Sequence, residues 1–183
     1  MRAGQQSLLT GLAATLLVTS LLLPGRLAQA YAYMGSGKWP TSVIPYAIHT
    51  AVPPAHVPLI EGAARWWTDL TDVTLPRQSS NKITVYEYDY GVTDWDGIAY
   101  VQPGWNSTFQ SGNMQLNSYF TRYYPDLRIK LVAAHEFGHL LSLAHVSAYV
   151  MMYGNDVWEA YLRNNALANG PQPDDIAGVN ARY

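Results

Sequence analysis

Beyond residue 30 the apolar positions follow two periods. Leu59, Ile60, Ala63, Ala64, Trp67 and Leu70 recur at helical intervals behind Pro53 and Pro54, which predicts a helix over Val57–Leu70. Alternating, β-branched runs predict strands at Trp39–His49, Ile83–Tyr88, Gly97–Val101 and Met114–Asn117, each bounded by Gly, Asp, Asn or Pro. Pro40 and Pro45 cannot donate to a ladder, so they confine the first of these to an edge or a bulge. From Asp126, an N-cap after Pro125, "LRIKLVAAHEFGHLL" has no breaker except Gly138 and reads as a long, largely buried helix. Past Gly170, Pro171 and Pro173, a short final helix is expected, with Asp174 and Asp175 at the positive end of its dipole.

The first thirty residues follow another pattern. Arg2, an apolar run from Leu8 to Leu23 and the small residues of Ala28-Gln29-Ala30 together read as a secretory signal peptide over residues 1–30. That run is shorter than the ~20 apolar residues of a spanning helix and contains Thr15, Thr19 and Ser20, which argues against a membrane anchor. Residues 31–183 are then expected to form one secreted, extracellular domain.

Charge and composition narrow the function. With 13 acidic and 11 basic residues, two of the latter in the leader, the expected mature chain is mildly acidic, which argues against a nucleic-acid partner. Without cysteine, stability must come from the core or from bound metal. Tyr and Trp are frequent in loops such as "DWDGIAYVQPGW". They read as packing residues with wet polar tips, or as a sugar-stacking or wall-binding surface.

Three of the five histidines lie within "AAHEFGHLLSLAH", Ala133–His145. His135 and His139, four apart, share one helix face, the spacing with which two imidazoles bind one zinc ion, and Glu136 can reach a water held there. A pair of half-buried helix histidines bonded to carbonyls would show the same letters. On an unbroken helix His145 would lie ~1000° beyond His135, about 80° off that face, so it can join only if the chain leaves the helix after His139. In H-E-x-x-H-x-x-G-x-x-H a glycine makes that departure, and Ser142 stands in its place. A left-handed backbone there would cost a non-glycine residue ~1–2 kcal/mol, eased by the local hydrogen bonding open to Ser.

"VAAHEFGHLLSLAH" resembles the active-site helix and turn of the matrixins, the matrix-metalloproteinase-like metzincins. "YVMMYG" resembles their Met-turn, "DDIAGVNARY" their closing helix, "KWPTSVIPYAI" their first strand and "DGIAYVQPG" the edge strand of their cleft. The resemblance implies an α+β metzincin fold: a small, twisted, mostly parallel sheet with an antiparallel edge strand, packed on helices that include the long active-site helix, and a small C-terminal subdomain with a closing helix. It implies one catalytic Zn2+ on His135, His139 and His145, with Glu136 as the general base that activates a zinc-bound water. The methionine floor is Met152 in the matrixin register. An astacin-like register selects Met151 instead and makes Tyr153 a candidate ligand or donor.

By the same resemblance the protein is a secreted, monomeric zinc endopeptidase without stable membrane association. Polypeptide substrates would lie along Gly97, Ile98, Ala99 and Tyr100, with Tyr149 and Val150 beside the principal pocket. Only His49 and His56 remain, so no structural zinc is expected. Ca2+ is left open: Asp89, Asp94 and Asp96 offer oxygens, although a solvated acidic loop would look the same. Two rivals stand. A thermolysin-like peptidase would take Glu159, twenty residues after His139, as third ligand. A non-catalytic secreted binding module would keep only a vestigial metal site.

Overall fold

Two helices and one sheet face build the core. The structure is a computed structural model and describes residues 31–183, so the expected signal peptide lies outside the described residues. Helix α1 (Val57–Leu70) buries Ile60, Ala63, Ala64 and Trp67, the face its periodicity marked. It packs on the second and longest helix of the core, which spans Asp126–Leu140 and is buried at every position from Leu131 onward. Trp67 satisfies its indole by donating Nε1–H to the Ala134 carbonyl at 2.9 Å, so a large apolar ring enters the core without an orphaned donor.

Four strands form the sheet: β2 (Tyr46–Ile48), β3 (Ile83–Tyr88), β4 (Gly97–Gln102) and β5 (Ser111–Asn117). Their order is β2-β3-β5-β4; β2, β3 and β5 run parallel, and β4 lies antiparallel at one edge. Helix α1 makes the crossover between the parallel strands β2 and β3, the connection a parallel pair requires. A two-stranded ladder joins β1 (Ala32–Tyr33) to β6 (Leu143–Ala144). The remaining helices are α2 (Ser118–Thr121), α3 (Asp126–Leu140), α4 (Val157–Arg163) and α5 (Pro173–Arg182). This is the α+β, metzincin-like arrangement expected, with the antiparallel strand at the edge.

Several elements differ from expectation, and β1, α2 and β6 were not foreseen at all. The strand expected over Trp39–His49 survives only as Tyr46–Ile48, because Pro40 and Pro45 interrupt pairing and leave isolated bridges such as Val43 to Thr74. β5 begins three residues earlier than its apolar pattern suggested, its first residues being polar or small. α4 was not read as an element, although its cap is legible: Asp156 accepts from Trp158 N–H at 2.8 Å. Among the described residues no helix is long and apolar enough to cross a membrane.

Candidate metal centre and cleft

His135 and His139 project from α3 with ring centroids 4.8 Å apart. The helix ends at Leu140, and Ser142 takes φ = 81°, the left-handed turn that the position of His145 requires. Ser142 N–H donates to the His139 carbonyl at 2.7 Å, and β6 then turns back against β1. The reversal brings His145 Nε2 within 3.0 Å of both His135 Nε2 and His139 Nε2. Glu159 stands apart: among the described residues the His135, His139 and His145 trio is the metal-competent group of three or more.

Ser142 is anchored by residues distant in sequence. Its hydroxyl donates to the Gly37 carbonyl at 2.5 Å, and the Arg182 guanidinium donates to the Gly35 and Gly37 carbonyls at 2.6 Å. Met34 N–H reaches the Ser142 carbonyl at 2.9 Å. These contacts offset the left-handed strain, which yields a prediction. Ser142→Ala loses the hydroxyl and keeps the strain, whereas Ser142→Gly loses the hydroxyl and relieves the strain. Urea unfolding should therefore show the Ala variant less stable than the Gly variant by about 1 kcal/mol. Equal stabilities would mean the turn is unstrained.

The donor set fits a zinc ion. His135 Nδ1 lies 2.7 Å from the Met151 carbonyl and His139 Nδ1 lies 2.8 Å from the Leu143 carbonyl. A carbonyl can only accept, so each Nδ1 carries the proton and each Nε2 turns a lone pair into the site. Lone pairs converging at 3.0 Å repel unless a cation lies among them. Burial lowers the pKa of all three rings, holding His139 at about 4, so they stay neutral at neutral pH. Glu136 adds a second sign: its Oε2 is buried with no hydrogen-bond partner, and burial, with Asp96 nearby, pushes its carboxyl well above the usual range. A neighbouring divalent cation would favour the ionised form.

Below the histidines, Asp175 accepts from Met151 N–H at 3.0 Å, Met152 N–H at 3.2 Å and Gln172 N–H at 2.8 Å. The closing helix thus fixes the segment whose Met151 carbonyl orients His135. Met152 packs against Gly138 and Trp67, where a Cβ on Gly138 would have no room. The pattern "DD" suggested only a dipole role for Asp175; its bracing of Met151 and Met152 joins elements 23 and 24 residues apart.

These titrations oppose one another. His139 has a folded pKa near 4 against an ordinary 6.5, so the unfolded chain binds more protons between those values, and stability is lost as pH falls through that window, by about 3 kcal/mol. Asp175 is pushed up by burial to about 6 against the pull of three N–H donors, so its contribution runs the other way, falling as pH rises from about 4 to about 6. His135 and His145, both lowered, act with His139, while Glu136 and Asp96, both raised by burial, act with Asp175. In zinc-free His139→Gln the urea stability at pH 7 minus that at pH 5 should fall below the wild-type difference, and an unchanged difference would refute this assignment.

A cleft of about 710 Å³ opens over the histidines. Gly97, Ile98, Ala99 and Tyr100 of β4 line it, with His135, Glu136, His139 and His145. β4 can approach so closely because a Cβ on Gly97 would collide with Glu136 and Val132. Tyr149 and Val150 are not among the lining residues; Tyr153, Gly154, Asn155 and Asp156 of the following segment are. Asp96, the first residue of the edge-strand motif, also lines it, as does Trp95, which the sequence did not single out. Asp89 pairs instead with Arg122 at 2.7 Å, so Asp89, Asp94 and Asp96 do not gather into one oxygen site. His56 faces both Glu87 oxygens at 3.0 Å, and His49 lies 3.3 Å from the Tyr88 hydroxyl.

A long helix bearing two histidines, a left-handed turn to a third, and an antiparallel edge strand over the cleft define a metzincin-like domain. Comparison with known proteins gives the family likeness. The chain is 29% identical to human neutrophil collagenase over 164 residues, 81% of this chain and 34% of that protein. It is 38% identical to human matrix metalloproteinase-19 over 60 residues, 33% of this chain and 11% of that protein. The chain thus spans about a third or less of the length of the curated relatives it matches. No family model matches it. Among solved structures, a chain of the GM1-bound ECX AB5 holotoxin shares the fold at 16% identity and a TM-score of 0.54, covering 77% of this chain and 80% of that one. A myroilysin structure overlaps 59% of this chain and 52% of its own at 20% identity and a TM-score of 0.45. The domain is matrixin-like.

Proposed function

We propose that this chain is an exported zinc endopeptidase that hydrolyses peptide bonds in polypeptide substrates. The observation that carries this reading is the convergence of three neutral imidazole nitrogens beside a buried, unpartnered carboxylate oxygen, inside a cleft edged by a free strand. His135, His139 and His145 would hold the ion, which when bound supplies a Lewis acid for the scissile carbonyl and lowers the pKa of water. The Glu136 carboxylate takes a proton from the attacking water and returns it to the leaving amide nitrogen. β4 exposes an unpaired edge, and an extended substrate adds to it strand by strand, its side chains read by the cleft.

The names of the human relatives, a collagenase and a metalloproteinase, support the reaction class. The leader pattern of residues 1–30 supports export, with residues 31–183 acting as one monomeric domain free of the membrane and of nucleic acid. The test is metal removal. Protein prepared with zinc should bind about one equivalent and cleave a quenched peptide library; a chelator should abolish cleavage and added zinc restore it. Cleavage that survives a zinc-free preparation would sink the reading.

A further inference from the structure

Only one face of the sheet is buried by the core. Ile83, Val85, Met114, Leu116 and Ala99 point into it. On the opposite face, the register sets Tyr86 beside Gln115, Thr84 beside Asn113, and Asn113 beside Tyr100. None of these side chains is charged. Across this side runs a row of five rings, His49, Tyr86, Tyr88, Tyr90 and Trp95, with successive centroids 5.0, 6.1, 6.3 and 5.0 Å apart. Tyr88 and Tyr90 remain 43% and 38% exposed. The row is continuous with the cleft, because Trp95 and Tyr100 line it.

The row is also held in place. Asn117, fully buried, accepts from Tyr90 N–H at 3.1 Å and donates to the Gly91 carbonyl at 3.0 Å and the Thr93 hydroxyl at 2.8 Å, which ties the loop carrying Tyr90 and Trp95 to the end of β5. A preorganised aromatic surface loses little conformational freedom when it binds.

Chemistry selects the occupant. A nucleic acid or other polyanion would need a run of unpaired Lys or Arg along the rings; Arg122 beside them is taken by Asp89 at 2.7 Å, and Lys82 lies before the start of β3. An added peptide strand would use the edge of β4 and not the face of the sheet. A neutral sugar fits both features: its C–H faces lie on aromatic rings, and its hydroxyls pair with side-chain amides and phenols that both donate and accept. We propose that this face binds a neutral glycan carried by the polypeptide whose backbone occupies the cleft, with Tyr86, Tyr88 and Tyr90 stacking on the sugar rings and Asn113 and Gln115 pairing with hydroxyls. The place of that polypeptide rests on the peptidase reading; the glycan surface itself does not.

The experiment compares affinities without turnover. Zinc-loaded Glu136→Gln protein is titrated, by tryptophan fluorescence, with one peptide sequence bare and with the same sequence bearing a neutral N-acetylhexosamine–hexose disaccharide on a threonine at successive positions. At one or more positions the disaccharide should tighten Kd about ten-fold, and Tyr88→Ser/Tyr90→Ser should remove that gain. Both tyrosines lie outside the core, so the double variant should stay folded at the temperature of the titration, which circular dichroism checks, and Tyr88→Ser alone provides a milder second test. Equal Kd with and without sugar at every position overturns the proposal, as does a gain that both variants retain. A free disaccharide that binds as tightly as the glycopeptide moves the ligand to an unattached polymer and overturns it too. Cleavage by the wild type is read separately: its absence sinks the peptidase reading, while a sugar-dependent gain in Kd still supports the glycan face.

Discussion

Glu136→Gln should lower kcat/KM for peptide cleavage by about a thousand-fold, within the range general acid–base catalysis contributes, while zinc stays bound at one per chain. The substitution keeps the shape of the side chain and removes its ability to take a proton. The carboxylate is not among the three imidazoles whose nitrogens converge, so metal content should not follow activity. It lies on the helix between His135 and His139, buried, with its Oε2 unpartnered. An amide there places a donor nitrogen where the water must give up its proton. Zinc content by mass spectrometry alongside kinetics separates the two effects. Full activity in the Gln variant would remove Glu136 from the mechanism, and joint loss of zinc and activity would make it a structural residue.

The second large effect concerns the third ligand. His145→Ala should weaken zinc binding by more than a hundred-fold, because loss of a mere outer-shell partner already costs about 10- to 100-fold. Glu159→Gln should leave zinc affinity unchanged, since Glu159 belongs to α4 and not to the histidine group. Competition with a fluorescent chelator measures both. The reverse outcome, zinc lost with Glu159→Gln and kept with His145→Ala, would restore the thermolysin-like alternative.

How far these features were legible depends on the range of the forces behind them. α1 and the body of α3 were readable because helical periodicity is local: Ile60, Ala63, Ala64 and Trp67 share a face through backbone geometry alone. β3 and all of β4 but Gln102 emerged from alternation for the same reason. The first strand was overestimated because pairing, a property of neighbours, fails where prolines offer no N–H. Tyr149 and Val150 lie outside the cleft lining, Val150 being buried, while Tyr153 to Asp156 of the following segment line it. The bonds from Met151 and Met152 to Asp175 just before that segment join residues far apart in sequence and leave no periodic trace.

Spacing within one helix by itself determined that His135 and His139 share a face, that Glu136 lies beside them, and that His145 could join only through a break near Ser142. It could not determine that the break closes correctly. That was decided by contacts 105 and 145 residues apart, Ser142 to Gly37 and Arg182 to Gly37, by β1 pairing with β6, and by Asp175 fixing the segment that orients His135. The physical reason is that backbone dihedrals set the direction of side chains along one element, whereas the meeting of elements depends on hydrogen bonds and packing between residues that only the folded chain brings together.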